Sequence, residues 1–260
     1  MPAAGKFVAV GLLVGALVGF TGMGGGSITT PLLILFGLPP VKAIGSDLLY
    51  SAITKTIGSA SHARQRHVDW RVALWLAAGS VPASVLGVFT VSRIRDAMGG
   101  GSDALIQHLL GGMLIVAGIG VVARIVFSGR LRQRAVENGP VGMTGRRRLI
   151  AVSVGAVGGF GVGLTSIGSG TLFAIVLMTT FPLAARRVVG TDIFHAAMLV
   201  WAAGLAHAAS GNVQFGTVAA LLVGSVPGVL AGSRLTGRLP ERPVRLALGS
   251  VLMLSGGLLV

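Results

Sequence analysis

The chain has 260 residues, 53% of them hydrophobic and 11% charged, and its mean hydropathy of +0.85 leaves too little polar surface to clothe a water-soluble globule. The absence of cysteine excludes disulfides, thiolate metal sites and a cysteine nucleophile. The formal charge of +14 comes largely from arginines in short loops between apolar segments, the pattern of a protein beside an anionic leaflet rather than of a nucleic-acid binder.

Apolar stretches run in chain order over about 7–36, 44–62, 72–92, 104–127, 149–181, 189–209, 215–233 and 244–260, and one crossing takes roughly 20 residues. Six of them fit single helices. The first and fifth are too long and are broken by glycine, at Thr21-Gly22-Met23-Gly24-Gly25-Gly26-Ser27 and Thr165-Ser166-Ile167-Gly168-Ser169-Gly170-Thr171. Residues 7–20 follow a single Lys6 and fit a signal peptide weakly, but 151–164 look like an internal copy of them, so the segment is expected to stay in the mature membrane domain. The 42 glycines suit helices whose backbones approach closely in a bilayer.

The copy extends over most of the chain. Gly45-Ser46-Asp47 recurs 145 residues on as Gly190-Thr191-Asp192, His62-Ala63 as His207-Ala208, and Gly79-Ser80-Val81-Pro82 as Gly224-Ser225-Val226-Pro227, while the glycine breaks repeat at a spacing of 144. Two homologous halves are expected, 1–127 and 146–260, joined by a basic linker at 128–145. If the broken segments cross once, the halves are parallel and the loop charges divide evenly. If each enters and returns as a helical hairpin, the halves are inverted, and 16 arginines fall on one side against Lys6, Lys42, Arg93 and Arg95 on the other. Cytoplasmic loops collect such charge. The expected fold is therefore an all-α polytopic membrane protein of two inverted repeats, each a re-entrant hairpin plus three transmembrane helices, with both termini outside.

A hairpin turning at membrane depth, with arms of about 10–14 residues, presents backbone N–H groups that only protein or a watery cavity can satisfy. The amides and hydroxyls of Gly24, Gly25, Gly26, Ser27, Gly168, Ser169, Gly170 and Thr171 are therefore the candidate anion-binding set, helped by the positive ends of the return helices. Lys55, in mid-helix, is the candidate source of positive charge, the alternatives being a snorkelling lysine or one paired with Asp47; its counterpart in the second half is Val200. Asp47 and Asp192 each follow Ser or Thr and are expected to cap helix N-termini. Together with His62, His195 and His207 they are also candidates for coupling or gating. No Walker A string, cofactor motif or tight metal-ligand spacing is present.

As a set, the string from Gly22 to Pro31, Leu38-Pro39-Pro40-Val41-Lys42-Ala43-Ile44-Gly45-Ser46-Asp47, Thr54-Lys55 with His62, Val68-Asp69-Trp70-Arg71 and Gly79-Ser80-Val81-Pro82 resembles the TauE/SafE family of sulfite exporters and anion permeases. The similarity spans nearly the whole chain. The resemblance implies a non-enzymatic secondary transporter that exports sulfite, an organosulfonate or a related oxyanion across the bacterial cytoplasmic membrane. The second half lacks counterparts of Pro31 and Lys55, which argues against a strictly symmetric site. A divalent-cation transporter using Asp47, Asp192 and the histidines is the alternative, and an intramembrane hydrolase using Ser169 a more distant one.

Overall fold

The structure, a computed structural model, describes residues 2–21, 26–98, 101–131, 141–170, 172–235 and 241–259. Among them are ten helices and no β-strand: α1 (Pro2–Thr21), α2 (Gly26–Leu35), α3 (Pro40–Arg64), α4 (Trp70–Met98), α5 (Ser102–Leu131), α6 (Gly145–Thr165), α7 (Leu172–Thr180), α8 (Ala185–Ala209), α9 (Phe215–Leu235) and α10 (Glu241–Leu259). The protein is an all-helical membrane protein. Five helices are long and apolar enough to cross a bilayer: α4, α5 over Ser102–Ala123, α6, α8 and α9 over Phe215–Gly232. In α3 the polar residues Ser46, Asp47, Ser51, Lys55 and Ser59 are all buried, so its polarity is spent inside the bundle.

Local chemistry explains several helix ends. Pro39 caps α3 with Pro40 at the first helical position, where a missing N–H costs nothing. Asp47 and Asp192 lie a full two turns inside α3 and α8, whose N-caps are Pro39 and Ala184. The capping role expected of them is therefore wrong: the helices begin earlier, at Pro40 and at the segment after Leu183. After α6 the chain turns on Ser166, a left-handed residue at φ 63°, and on Gly168 at φ 98°.

Glycines weld the helices in pairs. Gly155 lies against the backbone of Leu76 and Gly159 against that of Ser80, while Gly11 lies against Leu221 and Gly15 against Ser225. Likewise Gly79 meets Val152 and Gly87 meets Phe160, while Gly224 meets Val8 and Gly232 meets Ala16. In each case a Cβ would overlap the partner's carbonyl, so only glycine permits the approach. Each of these four α4–α6 contacts recurs between α9 and α1 at positions shifted by 144 or 145, with the roles of the chain's two parts exchanged. Gly45 against Asn212 and Gly190 against His67 form another such exchange between α3 and α8.

The order of these contacts sets helix directions. Along α4 and α6, residues 76 and 80 meet 155 and 159, and along α1 and α9, residues 11 and 15 meet 221 and 225; both pairs run parallel. In α3 and α8, Gly45 meets Asn212, Gly58 meets Ile193 and Gly204 meets Leu48 and Leu49, so these two run antiparallel; so do α5 and α10, where Gly118 meets Gly249 and Gly256 meets Gly111. Hydrogen bonds from Asp69 to Thr191, Ser80 to His195 and Asn212 to Ser92 run α4 parallel to α8. It follows that α6 and α8 point the same way, and the chain must reverse between them. α7, only nine residues long, and the extended stretch 181–184 make that return. The outgoing arms are longer than the sequence suggested: α1 and α6 have 20 and 21 residues, while the return helices α2 and α7 have 10 and nine. At about 1.5 Å per residue, α6 rises about 31 Å, so the break after it lies well beyond the depth reached by the expected arm of about 10–14 residues.

These directions gather Arg64, Arg66, Arg71, Arg146, Arg147, Arg148, Arg186 and Arg187 at one end of the bundle, where α3 ends and α4, α6 and α8 begin. Lys6, Lys42, Arg93 and Arg95 lie at the other, where α1 and α3 begin and α4 ends.

Candidate functional site

The centre of the bundle is a buried polar cluster built on α3. Asp47, fully buried, accepts three side-chain hydrogen bonds. Thr30 of α2 donates to Oδ2 at 2.7 Å and Ser166, in the break after α6, donates to the same oxygen at 2.6 Å. Ser51, one turn along α3, donates to Oδ1 at 3.3 Å. One turn further on, Lys55 Nζ donates to the Ser169 hydroxyl at 2.6 Å and reaches its carbonyl at 3.4 Å. Helix α3 therefore holds the α6–α7 break at two points, with a carboxylate on Ser166 and an ammonium on Ser169.

Lys55 is 9% exposed and Ser169 4%, so the snorkelling alternative does not occur. Nor does Lys55 form an ion pair with Asp47: eight residues apart on a helix, their Cα atoms are separated by about 12 Å of rise, and Nζ turns to the serine instead. Both Asp47 and Asp192 remain within electrostatic reach of the ammonium. A lysine placed this deep is costly without partners.

Several other candidates have assigned surroundings. His195, fully buried, bonds Ser80 through Nε2 at 2.8 Å and meets the edge of Phe173 of α7. His207 bonds the Gly163 carbonyl at 3.1 Å and approaches Asn212 at 3.4 Å. His62 lies 5.9 Å from His67, ring to ring, at the arginine-rich end. The two clusters at the ends are unlike. At the arginine-rich end Asp69 accepts from Arg187 at 3.0 Å and from the amides of Val72 and Val141. At the other end Asn212 bonds Arg95 and Ser92.

Of the expected anion-binding set, Ser169 and Lys55 are brought together, with Gly168 and Gly170 beside them. Gly26 is the first residue of α2. Gly24, Gly25 and Thr171, and the side chain of Ser27, lie outside the described residues. In the break itself the Ser166 amide returns to Val162 and the Ile167 amide to the Thr165 hydroxyl, which narrows the candidate amides to those of Gly168 to Gly170. Among the described residues no three histidine or acidic side chains gather to hold a metal ion. Sequence reasoning missed Thr30, Ser51, Ser80 and Ser166. The signal for three of them was spacing: Ser51 follows Asp47 by one helical turn, and Ser80 and Ser166 stand within repeated motifs.

A lysine buried among apolar helices and bonded to a serine in a glycine-rich helix break marks a candidate functional site. The family model for "Sulfite exporter TauE/SafE" matches residues 7–259. The chain belongs to the TauE/SafE family. The probable membrane transporter protein YjnA of Bacillus subtilis (strain 168) is 41% identical over 251 residues, covering 96% of this chain and 97% of the relative. YdhB of the same organism, described in the same words, is 28% identical over 254 residues and covers 97% and 98%. No solved structure matches the chain. Family and relatives together make this TauE/SafE member a multi-pass membrane transporter.

Proposed function

We propose that the protein is a secondary transporter of a small anion, namely sulfite, an organosulfonate or a related oxyanion, which it exports across the cytoplasmic membrane by alternating access. The anion is held beside Lys55 by the Ser169 hydroxyl and the amides of Gly168 to Gly170. The observation that carries this reading is the 2.6 Å bond from Lys55 Nζ to Ser169: the one lysine within the described helix interiors points at the helix break, where a small anion replaces protein oxygens around a fixed cation.

The chain divides into repeats at 1–127 and 146–260, joined by the linker 128–145. The reciprocal glycine contacts support this division, and the antiparallel α3–α8 and α5–α10 pairs support an axis lying in the membrane plane, hence inverted repeats with α1–α2 and α6–α7 as hairpins. The gathering of arginines at one end supports a cytoplasmic face there and both termini outside. Alternating access then follows from one half rocking against the other around the site.

Flux into proteoliposomes, measured for sulfite, sulfate, methanesulfonate, acetate and divalent metal ions with a chelator control, tests the reading. Chelator-resistant movement of at least one of these anions is expected; movement of a metal ion and of no anion would overturn it. The same Lys55–Ser169 contact invites a second reading, a lysine-activated serine hydrolase. As an ammonium, Lys55 donates to the hydroxyl, the wrong polarity for a general base, and cleavage of a membrane peptide that stops in Ser169→Ala would be needed to support it.

A further inference from the structure

An anion entering this cluster meets more negative charge than positive. Asp47 is fully buried, Asp192 6% exposed and Lys55 9%, so two carboxylates share one ammonium. His195, the nearest further titratable group on α8, is fully buried and bonded to Ser80. Adding a monoanion to such a cluster deepens the buried negative charge, which is unfavourable unless a proton enters with it.

The position of Asp47 singles it out as the carrier. Around it stand Thr30 of α2, Ser166 of the α6–α7 break, and Ser51, Tyr50 and Lys55 of its own helix, while Asp192 and His195 of α8 lie within electrostatic reach of Lys55. None of the first three is charged, so the ionised carboxylate is held by hydroxyl donors alone. Two of those donors belong to the short-helix hairpins, Thr30 to one and Ser166 to the other, and both converge on the single oxygen Oδ2. A carboxylate accepts from both at full charge-assisted strength; a carboxylic acid must place an O–H on one oxygen and loses that charge.

We propose that Asp47 takes up one proton with each anion that binds beside Lys55, and that this protonation loosens the grip of α3 on Ser166 and Thr30, so the helix break moves only when both have bound. The proton comes from the aqueous phase open to the site and leaves on the opposite side with the anion, restoring the carboxylate and its two short bonds. Asp47 is thus a coupling and positioning residue: Lys55 holds the cargo, and Asp47 decides when the hairpin is free. This proposal rests on the anion reading of the same site.

Proteoliposomes loaded with a pH-sensitive dye, with the membrane potential clamped, test it using methanesulfonate, a strong acid that carries no proton across the lipid as the free acid; sulfate replaces it where the panel shows that sulfate alone moves. The wild type is expected to acidify the lumen by one proton per methanesulfonate taken up. Asp47→Asn is expected to lose that acidification and the pH dependence of methanesulfonate binding in detergent, and Asp47→Glu to restore both. Anion movement by the wild type with no proton overturns the coupling and leaves the transport reading standing; this arm needs no variant. Proton movement that survives in a folded Asp47→Asn, or that is lost in Asp192→Asn instead, also overturns it. Absence of flux for every anion tested removes the transport reading, and the coupling with it.

Discussion

The glycine seams and the polar centre obey different rules. Along α4–α6 and α1–α9 glycine contacts repeat between the two parts of the chain: Gly159 on Ser80 answers Gly15 on Ser225, and Gly79 on Val152 answers Gly224 on Val8. In the centre the counterparts diverge. Lys55 faces the repeat position of Val200, Ser169 that of Gly25, His195 that of Tyr50 and Asp69 that of Gln214. Some backbone-directed bonds persist, since the Asp69 amide donates to Thr191 and the Gln214 amide to Ser46, both at 2.9 Å. The lesson is that helix packing, which depends on backbone approach, holds both parts to one pattern, while the side chains of the polar centre are free to diverge.

The largest effects test the seams. Gly159→Leu and Gly15→Leu should each destabilise the protein by about 3 kcal/mol or more, because the new side chain meets backbone that has no room to move. Comparable loss of monodisperse protein and of melting temperature in both would uphold the match; a harmless change at one would break it. In the centre, Lys55→Met should weaken anion binding roughly 100-fold, about 3 kcal/mol, with the fold retained, as read by flux and thermal shift together. Moving the charge with Lys55→Val and Val200→Lys should not restore binding, since the hydroxyl of Ser169 has only glycine at its counterpart. Recovery there would break the claim of asymmetry.

At the arginine-rich end, Arg187→Ala leaves the 2% exposed carboxylate of Asp69 with amide donors alone and should cost about 2 kcal/mol, measurable as a fall in melting temperature. The smallest effect has the opposite sign. Arg66 adopts a left-handed φ of 57° where its counterpart is Gly211 at 70°, so Arg66→Gly should stabilise the turn by roughly 0.5–1 kcal/mol; a loss of stability would show that the arginine side chain has a role its exposure hides.

The architecture was legible because lipid imposes strong periods: apolar runs of crossing length, glycine strings that interrupt them, and a repeat visible in Gly45-Ser46-Asp47 and Gly190-Thr191-Asp192. Charge cost singled out Lys55 as a candidate source of positive charge, but its meeting with Ser169 in the second glycine break was not legible. The roles of the aspartates were misread, because Ser-Asp and Thr-Asp look like caps in one dimension, while two prolines upstream of Asp47 had already started the helix. Thr30 escaped notice, and the repeat that contained Ser166 did not reveal its role, since the value of both lies in a common acceptor, 17 residues from one and 119 from the other. The length of α6 was also hidden, because its arginine-rich first turn at 146–148 reads as loop.

The absence of cysteine allows the central claim to be tested by a single introduced thiol. In Ser169→Cys, a negatively charged thiol reagent should reach residue 169 in membranes, and the transported anion should slow that reaction at least tenfold while leaving a thiol placed at exposed Phe215 untouched. Labelling of residue 169 that proceeds at the same rate with and without saturating anion would contradict an anion site between Lys55 and the helix break.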